Sequence, residues 1–245
     1  MFGVAIIVFS ITTVQLAIAD GLSPDSPTAK VLLKYPEGRK CLADISSGGK
    51  FADVTVVLMN QSEIEKKAGH DGGGVRQNPD SKKYEILVNR DLTIEQRAHA
   101  IAHELQHIRD EIAFDNYLES HPSLNAIGPA VIRGLKSTDA AAFIAANRAK
   151  TQFVLYGLFC QERRAYQRNI VLHEQGLAFA NTTALETPGE FIARQYVSKF
   201  GYSMSSSEIS DVERKCLKNG DFAEFMDSIA PSSSSKSPGP NTVVQ

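Results

Sequence analysis

The chain has 245 residues, 42% apolar and 22% charged, with 17 glycines and 10 prolines. That length suits one globular domain with short appendages, and the composition excludes collagen, coiled coil and wholesale disorder. Twenty-six basic against 28 acidic residues leave no cationic excess for nucleic acid or an anionic lipid surface, and three cysteines are too few for a disulfide-stapled miniprotein.

Residues 1–19 carry no charged side chain, are apolar from Phe2 to Phe9, and end Ala17-Ile18-Ala19 before Asp20. Small residues at the two positions a signal peptidase inspects predict a cleaved signal peptide over 1–19. A membrane anchor is the alternative, but Ser10, Thr12, Thr13 and Gln15 interrupt a run that needs about twenty apolar residues to span. The mature chain is then expected to be secreted or periplasmic, without stable membrane insertion. There, Cys41, Cys160 and Cys216 allow one internal bridge. Cys160 lies in an apolar helical run and reads as a buried thiol, so elimination pairs Cys41 with Cys216.

Along the mature chain, a polar lead-in over 20–28 precedes short helices near 29–33 and 39–45. Phe51 to Met59 is rich in β-branched residues and predicts a strand. Gln61 to Lys83 holds three consecutive glycines and Asn78-Pro79-Asp80, which predicts a long flexible loop. Tyr84 to Val88 predicts a second strand, antiparallel to the first. Thr93 with Gln96 forms a capping-box pattern that opens a helix running to about Phe114. After a break at 125–129 the pattern is helical from Thr138 to Leu172, and apolar nearly all round between Phe153 and Cys160, so that helix should be buried. Thr187-Pro188-Gly189 opens a helix over 190–200, and two more follow at 207–217 and 221–229. Residues 231–245 read as a disordered tail. A small antiparallel sheet followed by helices predicts an α+β fold, one domain over 20–230.

One motif carries specific chemistry. His103-Glu104-Leu105-Gln106-His107 matches H-E-x-x-H, in which two His one helical turn apart bind one Zn²⁺ and the Glu reaches a water on the metal. With six His and fifteen Glu in 245 residues, the pattern arises by chance in roughly one such sequence per hundred, so its context decides. On a helical wheel, Ile94, Ala98, Ile101, Leu105, Ile108 and Ile112 fall within about 40° of one line, with His99, His103 and His107 opposite. One side packs on the domain; the other faces a cleft, or simply solvent. A zinc site also needs a third protein ligand. Glu162 follows the apolar run 153–160, and a carboxylate leaving a buried helix needs a partner such as a metal ion. Pairing with Arg163 or Arg164 is the competing role, and Glu174, Glu186 and Glu190 are further ligand candidates. Asp110 lies on the His face, but one turn beyond His107.

With its strand YEILV, the helix bearing AHELQH and a later E-R-R-A-Y, the chain resembles the zincin metallopeptidases over about residues 80 to 170. The last segment is similar to the E-x-x-A of the gluzincin branch, whose third ligand is a glutamate on a second helix. The metzincin pattern does not fit, since it needs glycine at position 110 and histidine at position 113, where this chain has Asp110 and Ala113. The resemblance implies zinc held by His103, His107 and Glu162, with Glu104 as general base towards a zinc-activated water. It also implies an oxyanion stabiliser, with Tyr166, His173 and His121 as candidates. An extended peptide or protein substrate would pair with the strand of Tyr84, Ile86 and Val88. The expected function is that of an exported zinc peptidase. The alternatives are a non-catalytic exported binding protein on the same scaffold, or a zinc hydrolase of a non-peptide amide.

Overall fold

The computed structural model describes residues 22, 25–46, 54–68, 73–78, 81, 83–179, 185 and 187–231; the expected signal peptide and all but the first residue of the expected tail lie outside them. Helix α1 (Pro27–Leu32) is capped by Ser26, whose Oγ accepts the Ala29 N–H at 3.2 Å, and α2 (Pro36–Ser46) follows. Strand β1 (Thr55–Met59) leads through α3 (Gln61–Ala68) to β2 (Gly73–Gln77) and back along β3 (Tyr84–Asn89). Then come α4 (Ile94–Ser120), a 3₁₀ turn (Pro122–Leu124), α5 (Ile127–Leu135), α6 (Ala140–Ala146) and α7 (Arg148–Glu174). Helix α8 (Pro188–Ile192) runs into a π-helical turn (Ala193–Val197) and a 3₁₀ turn (Ser198–Phe200), before α9 (Ser206–Lys218) and α10 (Phe222–Ile229). The class is α+β, as expected.

The sheet differs from the expected antiparallel pair. It has three strands in the order β1-β3-β2, with β1 parallel to β3 and β2 antiparallel to it. Parallel strands need a crossover of a dozen or more residues, and the segment read as a loop supplies it as α3 and β2. Consecutive glycines favour turns, yet Gly73 and Gly74 are strand residues, opposite Val88 and Leu87. Further along, the helical run from 138 is split by Asn147, at φ −124° and ψ 32°, into α6 and α7. The helix expected over 190–200 keeps its α geometry only to Ile192.

Helix α4 begins as its capping box predicts. Thr93 Oγ1 accepts the Gln96 N–H at 3.2 Å, and Gln96 Oε1 accepts the Thr93 N–H at 2.9 Å. Ala98, Ile101, Leu105 and Ile108 form the buried stripe, packed with Val56, Tyr84, Ile86 and Val88 of the sheet, whereas Ile94 is 39% exposed. The C-terminal half of α4 enters a second core through Phe114 and Tyr117, where Phe153 and Phe159 of α7 meet Phe222 and Phe225 of α10. So α4 runs through both cores, and its His-bearing turns lie where α7 crosses it.

The disulfide joins Cys160 to Cys216, not Cys41 to Cys216. An all-round apolar helix is surrounded by other helices, so Cys160 faces α9 across a Cα–Cα distance of 5.6 Å. Cys41 is a buried thiol whose Sγ accepts a hydrogen bond from Arg168 Nη1 at 2.6 Å. Among the described residues no helix is long and apolar enough to cross a membrane. A bridge of this kind persists in oxidising compartments. It closes a 56-residue separation, so a Cys216→Ser variant is expected to lose about 2–4 kcal/mol in denaturant unfolding. Alkylation of the unfolded, unreduced protein should modify Cys41 alone; labelling of Cys160 or Cys216 would contradict this pairing.

Candidate metal centre

His103 and His107 stand one turn apart on α4, with Nε2 atoms 3.2 Å from each other. Across the helix crossing, Glu162 of α7 places Oε2 3.5 Å from His103 Nε2 and 3.7 Å from His107 Nε2. The edges of a tetrahedral zinc sphere, with ligand bonds near 2.05 Å, are about 3.3 Å. The triangle therefore has the size that one such ion requires, and these three side chains are the His/His/Glu group that could hold a metal.

The surroundings of Glu162 sharpen the point. It is 8% exposed, and Oε2 is fully buried with no hydrogen-bond partner. The two arginines beside it in sequence are engaged elsewhere. Arg163 pairs with Glu213 and donates to Gln167 Oε1 at 2.9 Å, while Arg164 Nε donates to both oxygens of Asp110 at 3.0 and 3.2 Å. A buried carboxylate oxygen aimed between two imidazoles, with no other polar group to meet it, is a donor set that could hold a cation. Without an ion, the imidazoles themselves are the counter-charges of Glu162. Burial alone would lower His107, yet Glu162, with Glu104 and Asp110 nearby, lifts it to about 9. Burial would raise Glu162, yet His107 and His103 hold it well below the usual carboxylate range.

Glu104 is 8% exposed on the flank of the His face and lines a cavity of about 700 Å³ that includes all three triangle residues. Gly73 and Val75 of β2, Ala100, Tyr166 and Tyr196 line it as well. Gly73 borders the Glu104 carboxylate: a Cβ there would lie 3.4 Å from Glu104 Oε1, an ordinary contact, and a tighter 3.2 Å from Leu87 O. Tyr166 sits edge-on to the His103 ring, with centroids 4.9 Å apart.

The other expectations sort clearly. Asp110 is spent on Arg164 and on Gln106, whose Nε2 donates to Oδ1 at 2.7 Å. Glu174 and Glu190 are exposed and outside the triangle, and Glu186 lies outside the described residues. His173 and His121 bond to the carbonyls of Leu177 and Tyr117 and do not line the cavity. Tyr84, Ile86 and Val88 cannot receive a substrate strand, because β3 is the middle strand, paired on both sides, and these three side chains are buried. Among the described residues, β2 is the sheet edge that borders the cavity.

Among the cavity residues to which the sequence assigns no role are Tyr196, Gly73 and Asn169. Tyr196 arrives on the π-helical turn, a local geometry that residue spacing does not reveal. Gly73 sits in a run of three glycines, a pattern that predicts a loop. Asn169 follows Glu162 and Tyr166 at helical spacing on one face of α7, so a wheel drawn for that helix would have found it.

Comparison with protein-family models, curated proteins and solved structures returns no match to this chain.

Purified protein is expected to carry one divalent transition-metal ion per chain by elemental analysis. His103→Ala and Glu162→Ala should each abolish it. Full metal content in Glu162→Ala would remove that residue from the site.

Proposed function

We propose that this protein is an exported zinc-dependent peptidase. The observation that carries the reading is the buried Glu162 oxygen, which faces two imidazole nitrogens and has no other partner, in a cavity shared with Glu104. Two nitrogens and one carboxylate oxygen suit zinc better than the harder cations, which prefer all-oxygen sets. When bound, zinc supplies Lewis acidity, bringing water towards ionisation at neutral pH and drawing charge from a carbonyl.

The chain's own residues supply the rest. Glu104 takes the proton of the attacking water and passes it to the leaving amine. Tyr196 and Tyr166 are hydrogen-bonded to each other. Burial first, then the nearby Glu162 carboxylate, pushes Tyr166 up to about 12 and raises Tyr196 as well. Both phenols therefore stay protonated at neutral pH, and Tyr196, which gives its O–H to Tyr166 in the free protein, would turn it to the oxyanion that forms on the substrate. The edge strand β2 would hold an extended peptide by strand addition, with Val75 beside the cavity. The expected leader and the disulfide support export.

Glu104→Gln is expected to keep its metal and lose at least about 100-fold in hydrolysis of a peptide library followed by mass spectrometry. Full hydrolytic rate in that variant would sink the mechanism, and no cleavage by the metal-loaded wild type would sink the peptidase reading. Tyr196→Phe should lower kcat about 100-fold with little change in KM. An unchanged kcat would exclude Tyr196 as the oxyanion donor.

A further inference from the structure

We propose that Asn169, backed by His99, is the positioning residue that fixes His103 in its metal-binding form, through a hydrogen-bond chain that starts at the Leu177 carbonyl. The inference rests on the metal-site reading above. Its inner members are buried: His99, one turn before His103 on α4, is 1% exposed, and Asn169, on α7, is 3% exposed. His99 Nε2 lies 3.1 Å from Leu177 O, and His99 Nδ1 lies 3.4 Å from the Asn169 side-chain amide. The other end of that amide lies 3.3 Å from His103 Nδ1. His103 Nε2 is the atom that faces Glu162 and His107.

The donors and acceptors fit this chain in one direction only. Leu177 O can only accept, so His99 Nε2 carries a hydrogen. Burial, with His173 nearby, disfavours a charge on His99, so its Nδ1 is a lone pair and needs a donor. The Asn169 NH₂ is the group within reach. That leaves the Asn169 carbonyl oxygen towards His103 Nδ1, which must then carry its hydrogen. The lone pair of His103 is thereby placed on Nε2, aimed into the triangle, where a metal needs it.

The structure places Asn169 Oδ1 towards His99 and Nδ2 towards His103. That orientation sets an amide oxygen against a lone pair on His99, and puts the hydrogen of His103 on Nε2, where it would block a metal. A half-turn of the amide exchanges two groups of nearly equal size and satisfies every member, so the donor and acceptor count selects the turned form. Phe179 packs edge-on to the His99 ring, with centroids 4.7 Å apart, and steadies the first link.

Two readouts test the chain. In protein labelled with ¹⁵N in histidine and asparagine, metal-free and zinc-loaded, a coupling across the hydrogen bond is expected between Asn169 Nδ2 and His99 Nδ1. His99 should be in the Nε2–H form. A coupling from Asn169 Nδ2 to His103 Nδ1, or none to His99, would overturn the proposal. In chelator competition, Asn169→Leu should bind zinc about 10- to 100-fold more weakly than wild type. Asn169→Asp, which keeps an acceptor for His103, should stay within about threefold of wild type, the range an intact orienting acceptor preserves. Wild-type affinity in the Leu variant, or equal loss in both, would count against it. If the Leu variant fails to fold, the coupling measurement decides. If wild-type protein binds no zinc, the metal reading fails, while the coupling in metal-free protein still judges the chain.

Discussion

The crossing of α4 and α7 is the constraint on which the site depends, because it buries a carboxylate against two imidazoles and leaves it no other partner. Each basic side chain near Glu162 on α7 is held elsewhere. Arg163 is drawn to Glu213 of α9, Arg164 to Asp110, and Arg168 to Gln106, with Arg168 Nε donating to Oε1 at 2.5 Å. Were any of these guanidinium groups to turn towards Glu162, a salt bridge would occupy the oxygen that now points at His103 and His107. The acceptors on α4 and α9 thus protect the site by satisfying the cations around it. Leaving such a charge half-satisfied in a buried place is costly.

The two hydrophobic cores explain why the cleft forms where it does. One joins the sheet to the first half of α4; the other joins its second half to α7, α9 and α10. The His pair lies on α4 in a cavity that the β2 edge and the π-helical turn also line. Each wall is matched to its place. Gly73 lets β2 lie close to the Leu87 carbonyl beside Glu104, and the turn after α8 brings Tyr196 next to Tyr166.

The disulfide belongs to the same construction. Cys160 precedes Glu162 by two residues and ties α7 to α9, the helix that also receives Arg163. Gly189 of α8 packs against Ile209 and Glu213 of α9, so closely that a Cβ there would meet both side chains. The covalent bond therefore fastens the segment that presents Glu162 to the layer from which the tyrosine turn departs. A crosslink that constrains the unfolded chain would steady these two walls together.

Local chemistry was legible in the residues. The capping box at Thr93, the buried stripe of α4, the His pair one turn apart and the α+β class all follow from spacing along a single element, where neighbours in sequence are neighbours in space. Glu162 was legible too, because a carboxylate at the end of an all-round apolar run has few ways to be stable. Pairings between distant segments were decided only in the folded molecule. The parallel β1–β3 register, the Cys160–Cys216 bridge, the removal of Arg163 and Arg164 from Glu162, the edge position of β2 and the arrival of Tyr196 each depend on which surfaces meet. Many pairings of the same residues are compatible with one hydrophobic pattern, and the packing of both cores at once selects among them.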